Sequence, residues 1–483
     1  MIMTGLVFAM LVACIDGTIV GTCAPVIAAD LGGLSLYSWM ITAYMLCETI
    51  MIPISGKLSD LFGRKPLFLI GLSLFVVGSL VAGMSTNMEM FIACRAVQGL
   101  GGGILIPVAT AAVADLYAPE DRAKMQGILG AIFGIGSGVG PLIGGYITEY
   151  INWQWVFYIN VPLALIAFIL TIRKFPMPAS PTETNIDVKG IAFLSLFLLD
   201  LLLFFEWAGT DFAWVSVESL LMVSAAIVLL AIFIFIERKA IEPILAPHLI
   251  HNRTVVMSAI FMFIFGIAMM GAMMYSSMFA ISVLGLSTLK AGAYSLFMVL
   301  GMMITANLSG QLVNRTGYRF WLILGPIITI FGLLLMSRLT VDTKLSYCAL
   351  CLFVFGFGLG CMMAIIMTAV QNSSKESEIG MTTSAVNLIR SIGSTIGTAI
   401  FTVVINNRIA NELSENLPTF IYDMVPHDTG VLGYIAFLPE YAYDILLSFA
   451  NSVDFAFICG AVLFIPLLII GAIYKVCTPE PEE

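Results

Sequence analysis

Three ionisable residues, Asp16, Glu48 and Arg95, lie inside long apolar segments of this 483-residue sequence. Charged groups at such depth in a hydrocarbon layer are costly, so they indicate function by default. A carboxylate beside a buried guanidinium stays ionised, whereas one in apolar surroundings takes up a proton. We predict that exchange between these environments moves protons through Asp16, Glu48 and Arg95. The alternative interpretation is a static structural ion pair.

A second set of charges occupies a turn, residues 56–66, between two apolar runs. Asp60 is placed to cap the helix that follows, because a carboxylate is favourable at the positive end of a helix. Arg64 and Lys65 are expected to reach Asp115, at the end of the fourth apolar run. The alternative is a tight turn with charges that only set topology. The predicted gate at this face comprises Gly56, Asp60, Gly63, Arg64, Lys65 and Asp115.

The elements that must position these groups are membrane-spanning helices. The hydrophobic fraction is 60 %, the charged fraction is 11 % and the mean hydropathy is +1.03, values far outside the soluble range. Apolar runs of about 18 to 25 residues recur along the chain, which is the length that crosses a ~30 Å hydrocarbon core as a helix. The alternating segments of about ten residues that build membrane β-barrels are missing from the pattern. Fourteen helices are predicted, near 4–28, 38–56, 66–85, 89–116, 122–148, 156–173, 188–207, 215–237, 254–283, 289–313, 320–337, 345–371, 379–406 and 449–474.

The distribution of basic residues predicts the topology of these helices. If the N-terminus is cytoplasmic, fifteen of the 21 Lys and Arg residues flank the cytoplasmic face and four flank the outer face. Such an asymmetry favours both termini inside. The expected fold is an all-α integral membrane protein with fourteen spans arranged as 6 + 2 + 6.

An internal repeat supports this arrangement and divides the chain. Gly310 repeats Gly56 at an offset of 254 residues, and Gly393 repeats Gly136 at an offset of 257. Nearly constant offsets indicate duplicated halves. The predicted divisions are a six-helix bundle over 1–174, two inserted helices over 175–253 and a second six-helix bundle over 254–483. A long outer loop is expected over 407–448.

The charges are not duplicated with the glycines. Positions equivalent to Asp60, Arg95 and Asp115 hold Asn314, Val354 and Ser374. We therefore expect proton chemistry in the first half and more of the substrate wall in the second.

Two ladders of glycine, at positions 130, 134, 138 and at positions 136, 140, 144, mark the fifth predicted helix. Glycines spaced in this way let a neighbouring helix approach backbone to backbone. Pro141 removes a helical hydrogen bond and permits a kink. The pattern that we single out comprises Gly136, Gly140, Pro141, Gly144 and Gly145.

Several segments together resemble one family. The turn over 56–66, the run Arg95–Gly103, the run Asp16–Pro25 and the connector over 152–162 are similar to motifs of the fourteen-helix drug:proton antiporters of the major facilitator superfamily. The resemblance covers essentially the whole chain. It implies that Arg95 takes part in proton coupling and that the Gly136–Gly145 pattern marks an antiporter. In the family a basic residue usually follows the aspartate of the turn, whereas here Leu61 does, so we expect a simpler Asp60/Arg64/Asp115 cluster.

Substrate contacts are predicted from residue chemistry. The ninth predicted helix is rich in methionine and aromatic residues, which suit a pocket that accepts many shapes. A packing or lipid-facing role is the alternative for most of them. The substrate-binding candidates are Asp16, Glu48, Met269, Met273 and Tyr275.

The sequence therefore predicts a monomeric exporter of a bacterial cytoplasmic membrane that exchanges protons for amphipathic, cationic compounds. Neither a cofactor nor a metal nor a nucleic-acid partner is expected, because the proton gradient drives transport. The chain is not expected to be an enzyme. The alternatives are a proton-coupled exporter of one metabolite or antibiotic, an importer, and a non-transporting sensor or scaffold.

Overall fold

The structure is a computed structural model that describes residues 2–32, 36–174, 185–209, 211–416 and 438–476. Within these residues, fourteen helices are long and apolar enough to cross a membrane. The predicted all-α fold with fourteen spans is confirmed. The spans are α1 (Ile2–Leu31), α2 (Trp39–Phe62), α3 (Arg64–Gly83), α4 (Met88–Leu116), α5 (Pro119–Tyr150), α6 (Asn160–Lys174), α7 (Val188–Trp207), α8 (Val217–Glu237), α9 (Arg253–Ser282), α10 (Thr288–Thr316), α11 (Tyr318–Met336), α12 (Leu345–Asn372), α13 (Ile379–Asn416) and α14 (Ala442–Ile473).

Equivalent turns in the two repeated halves have the same backbone geometry. Gly63 separates α2 from α3 with φ 89°, and Gly317 separates α10 from α11 with φ 79°. A residue with a side chain rarely adopts such angles, so glycine is required at both turns. We call the end of the bundle that carries these turns the basic face; it includes Lys57, Arg64 and Arg122.

Equivalent helices pack in the same way in both halves. In the first half α4 packs against α2 and α3, and α5 packs against α1. In the second half α12 packs against α10 and α11, and α13 packs against α9. The halves meet mainly along two pairs of helices, α2 with α13 and α5 with α10, and α12 and α13 also contact α5 and α4, respectively. A cavity between the halves is thus bounded by helices from both.

The inserted pair lies beside one of these junctions. Helices α7 and α8 pack on each other, and α7 also contacts α2 and α13. Ile52 of α2, Leu194 and Leu198 of α7 and Leu388 of α13 share one buried apolar cluster. The insert therefore covers the side of the junction between α2 and α13.

The outer loop is shorter than predicted. Helix α13 continues to Asn416 and α14 begins at Ala442, so both ends of the segment 407–448 are helical, and residues 417–437 lie outside the described residues. An ion pair of 2.6 Å joins Arg408 to Glu412 one turn later. Such i, i+4 pairs stabilise exposed helix. Hydropathy does not detect this extension, because the helix continues there with polar residues.

Candidate functional site

A buried ion pair joins α1 to α4. The Nη1 atom of Arg95 lies 2.5 Å from Oδ2 of Asp16, and the two side chains are 1 % and 0 % exposed. The other carboxylate oxygen, Oδ1, accepts hydrogen bonds from Asn160 of α6 at 2.8 Å and from Gln98 at 3.1 Å. Both oxygens of Asp16 are thus occupied by donors.

The guanidinium of Arg95 is equally well held. Its Nε donates to the carbonyl of Met40 at 3.2 Å, and its Nη1 also donates to Gln98 at 3.0 Å. The ring of Tyr44 lies 4.3 Å from the guanidinium carbon, a cation–π distance. A buried charge pair is tolerated when hydrogen bonds satisfy its remaining donors and acceptors. We call Asp16, Arg95, Gln98 and Asn160 the sealed cluster.

Sequence reasoning placed Asp16 and Arg95 but missed the amides of the sealed cluster. Gln98 stands one turn after Arg95, and Asn160 lies in the connector that carried the family resemblance. A polar amide in an apolar helix needs a hydrogen-bond partner, and this rule could have identified both amides as members of a buried polar cluster.

A cavity of about 110 Å³ lies between the halves, beside the sealed cluster. Its walls are mostly apolar and rich in methionine. Glu48 of α2 and Arg390 of α13 are its charged residues. The cavity is also lined by Cys14, Phe133, Met269, Met273, Ser391 and Ser394.

The cavity includes three of the five predicted substrate contacts. Glu48, Met269 and Met273 line it, whereas Asp16 is withdrawn into the sealed cluster. Tyr275 also lies elsewhere: its hydroxyl donates to Thr402 at 2.8 Å and its ring stacks on Phe401. Helix periodicity explains the difference, because Tyr275 lies on a different face of α9 from Met269 and Met273. Arg390 of α13 also lines the cavity, where it lies against Phe133 of the other half, a contact that no local pattern in the sequence indicates.

At the basic face, α2 and α13 are joined by charges. Arg64 makes ion pairs of 2.6 Å with Asp60 and 2.8 Å with Asp115. The Asp60 carboxylate also accepts the backbone N–H groups of Gly380 at 2.9 Å and Met381 at 2.7 Å. The structure thus brings together Asp60, Arg64 and Asp115, three members of the predicted gate.

Two details of that gate differ from the prediction. Asp60 caps α13, in the second half of the chain, whereas the prediction placed it on α3. Among the described residues, no side chain caps α3. Lys65 donates to the carbonyl of Ile172 on α6 at 2.9 Å. The capping rule identified the right chemistry, but the helix whose N-terminus lies nearest comes from more than 300 residues away.

Glycine permits this close approach. A Cβ atom on Gly56 would overlap Ser384 and the carbonyl oxygen of Gly380, and a Cβ atom on Gly380 would overlap the side chains of Asp60 and Arg64. We call this contact between α2 and α13 the charged seam. It is defined by Gly56, Asp60, Arg64, Gly380 and Met381.

The other junction at the basic face carries no ion pair in the part of the chain that the structure describes. Asn314 of α10 donates to the carbonyl of Glu120 at the start of α5, at 2.7 Å. A Cβ atom on Gly310 would overlap the carbonyl oxygen of Ala123, and one on Gly127 would overlap that of Ala306. We call this contact between α5 and α10 the neutral seam.

The two glycine ladders of α5 face different helices. A Cβ atom on Gly136, Gly140 or Gly144 would meet α1, in the same half of the protein. Gly134 and Gly138 instead face Val299 of α10, in the other half. Gly292 of α10 lies close to Pro141. The glycines of α5 therefore let it approach the backbone of α1 on one side and side chains of α10 on the other.

The sequence profile of the Major Facilitator Superfamily matches residues 6–398, most of the chain. This chain belongs to the major facilitator superfamily. Members of the superfamily are transporters rather than enzymes, and the predicted family is confirmed.

Two of the named relatives come from one bacterium. Multidrug transporter protein MdtP of Bacillus subtilis is 38 % identical over 88 % of this chain and 79 % of its own length. Multidrug resistance protein 3 of the same organism is 34 % identical over 86 % of this chain and 81 % of its own length. Together with fourteen apolar helices, these relatives confirm the predicted localisation as a multi-pass protein of a bacterial cytoplasmic membrane.

Solved structures of the superfamily share the fold. The human organic anion transporter MFSD10 aligns with a TM-score of 0.65 and 15 % identity, over 97 % of this chain and 98 % of that one. The proton:xylose symporter XylE aligns with a TM-score of 0.61 and 13 % identity, over 91 % and 95 % of the two chains. At such identities the likeness concerns the fold alone.

Proposed function

We propose that this protein is a proton-coupled antiporter that exports amphipathic, cationic compounds from the bacterial cytoplasm. The observation that carries the proposal is a carboxylate, Glu48, on the wall of a methionine-rich cavity between the two halves. A carboxylate in such a cavity attracts either a proton or an organic cation, and the two compete. Thioethers adapt to apolar bodies of different shape.

The sealed cluster supplies the second part of the proposal. Tyr44 lines the cavity and also lies over the guanidinium of Arg95, so it stands between Glu48 and the Asp16–Arg95 pair. Rearrangement of α1 against α4 would separate Asp16 from Arg95 and leave the carboxylate in apolar surroundings, where it takes up a proton. Asp16 and Glu48 would thus exchange charge, with Arg95 setting which of them is ionised.

In an alternating-access cycle, the charge exchange between Asp16 and Glu48 would be coupled to the opening and closing of the charged seam. The charged seam closes the basic face, which we take as cytoplasmic because basic residues concentrate there. The described cavity is smaller than the roughly 300–1,000 Å³ of a typical ligand pocket, so the halves must separate to admit a compound. Opening the charged seam would provide that entry from the cytoplasm, and the chain would act as a monomer.

Purified protein in liposomes with an imposed pH gradient tests the proposal. A fluorescent lipophilic cation is added, and proton movement and dye movement are recorded together. We expect dye-dependent proton movement in the wild type and its loss in Asp16→Asn and Glu48→Gln. Glu149→Gln, at an exposed position of α5, is the matched control and should transport normally. Coupling that survives both substitutions would refute the assignment of the proton site.

A second candidate function is the export of one compound only. The methionine lining favours a broad range of substrates. Competition experiments distinguish the two candidate functions, because unrelated lipophilic cations should inhibit each other's transport in a multidrug pump. Inhibition by a single chemical family would support the narrow exporter.

A further inference from the structure

Glu48 and Arg390 approach the same cavity from opposite halves of the protein without joining. Glu48 belongs to α2 and Arg390 to α13, and both line the cavity. The part of the chain that the structure describes contains no ion pair within 4.0 Å between them. The cavity therefore presents a carboxyl group and a guanidinium group that are not in contact with each other.

The Arg390 side chain is buried and incompletely satisfied. It is 8 % exposed, and its Nε atom has no hydrogen-bond partner among the residues that the structure describes. The nearest aromatic contact is Phe133, whose ring centre lies 5.4 Å from the guanidinium carbon. A buried guanidinium with a free donor is unfavourable unless an acceptor is supplied.

Neighbouring polar groups of the cavity do not supply an anion. The hydroxyl of Ser394 donates to the backbone carbonyl of Arg390 at 3.1 Å, and that of Ser391 is hydrogen bonded to Thr49 at 2.8 Å. Cys14 is a buried thiol. Glu48 is thus the one carboxylate among the lining residues, and it stands apart from Arg390.

We infer that the preferred ligand of this cavity is an amphipathic zwitterion. Its ammonium group would bind Glu48, its carboxylate would bind Arg390, and its apolar body would lie on Met269, Met273 and Phe133. A guanidinium presents a planar set of donors that matches a carboxylate in a bidentate manner. The inference rests on the proposed function, because it takes this cavity as the transport site. It adds one requirement to the substrate class, namely that the compound carries a carboxylate as well as a cationic group.

Two dyes that differ by one ester test the inference. Tetramethylrhodamine carries a cation and a free carboxylate, and its methyl ester carries the cation alone. Equilibrium binding of each dye to the purified full-length protein in detergent is measured by fluorescence polarisation. We expect the free acid to bind about tenfold more tightly than the ester, the effect of one charge-assisted hydrogen-bonded pair.

Substitutions then test whether Arg390 causes the difference in affinity between the free acid and the ester. Arg390→Gln should remove the preference for the free acid and leave the affinity for the ester within about twofold. Glu48→Gln should weaken both dyes by a similar factor. Arg390→Lys, which keeps the charge without the planar donors, should retain part of the preference and shows that the site still folds. Arg315→Gln, at an exposed position of α10, is the control and should bind as the wild type does.

Each remaining outcome overturns the inference. If the wild type does not favour the free acid, or binds neither dye, the zwitterion class is wrong. If Arg390→Gln tightens the ester instead of weakening the free acid, Arg390 serves only to offset the charge of Glu48. Ester-driven proton movement in the liposome assay tests the proposed function separately, because binding to detergent-solubilised protein needs no gradient.

Discussion

The charged seam and the neutral seam occupy equivalent places in the repeat, yet they are built from different chemistry. Asp60 caps the start of α13 with its carboxylate, whereas Asn314, its counterpart, donates an amide hydrogen to the start of α5. Arg64 bridges two carboxylates, whereas its counterpart Tyr318 accepts a hydrogen bond from Asn372 at 3.0 Å. The backbone approach is conserved between the seams, while the charge is present in one alone.

This difference suggests separate roles, in which the neutral seam keeps the halves together and the charged seam opens and closes. A glycine contact against a backbone depends on shape, and its strength falls gradually as helices slide. A buried ion pair is all or none, because either charge left alone in the interior is strongly unfavourable. We therefore expect the charged seam to respond to substitutions and salt, and the neutral seam to act as the steadier contact. Hydrogen exchange at the start of α13 and at the start of α5 reports the two seams separately.

Arg64→Ala should have the largest effect. It leaves the Asp60 carboxylate, which is 3 % exposed, without its cation, at a cost of about 3–5 kcal/mol. Amide exchange at Gly380 and Met381 should rise at least about a hundredfold, with little change at the start of α5. Tyr318→Phe, the matched change at the counterpart of Arg64 beside the neutral seam, removes the hydrogen bond from Asn372 and should cost about 1 kcal/mol. Equal effects at the two positions would abolish the distinction between the seams.

Asp60→Asn should have the next largest effect. The amide keeps one oxygen for the N–H groups of α13 but loses the ion pair with Arg64, which we expect to cost about 1.5–3 kcal/mol. The thermal unfolding temperature in detergent should fall, and exchange at Gly380 and Met381 should rise. Asn314→Asp is the reciprocal control at an exposed position, where a loss below about 1 kcal/mol is expected. A larger loss for Asn314→Asp would contradict this order.

Gly380→Ala tests whether shape alone can open the charged seam. The added methyl group overlaps the carbonyl oxygen of Gly56 and the side chains of Asp60 and Arg64. Overpacking of this kind costs about 1–3 kcal/mol. A spin-label pair across α2 and α13 at the basic face should then show a longer distance. Gly21→Ala is the matched control, because nothing lies within 4 Å of a Cβ atom there, and an unchanged distance in Gly380→Ala would show that the seam adapts.

Lys57→Ala should have the smallest effect. Lys57 forms an ion pair of 2.5 Å with Glu242, in the connector between α8 and α9, and Glu242 is 38 % exposed. Exposed pairs contribute between about 0 and 1 kcal/mol, and salt screens them. Raising the ionic strength should therefore reduce any difference from the wild type in unfolding temperature. Gln311→Ala, at the equivalent place in α10, should be neutral at every salt concentration, and a salt-independent loss in Lys57→Ala would point to lost packing instead.

Much of the fold could be predicted from the sequence, because it depends on local properties. Apolar length fixed the fourteen spans, and glycine spacing identified both ladders of α5. The partner of Arg95 was narrowed to two carboxylates, Asp16 and Glu48, and the structure pairs Arg95 with Asp16. These features need only composition, periodicity and the cost of a buried charge.

Contacts between the halves could not be predicted from the sequence patterns. The cap of α13 by Asp60 and the shared cavity of Glu48 and Arg390 depend on which helix faces meet across the duplication. Those faces are set by side-chain packing summed over whole helices, and no short motif records it. The polar extension of α13 to Asn416 was missed for a related reason, because hydropathy marks the membrane and not the end of the helix.

The two glycine ladders also bear on how such a protein diverges over evolutionary time. A helix that meets neighbours through bare backbone on two sides, as α5 does, has few positions at which a new side chain is tolerated. Changes in the set of transported compounds must then come from substitutions on other helices that line the cavity. The flexible methionines of α9 are the positions where we expect such substitutions. Descendants that transport different compounds should therefore differ most on α9 and least along α5.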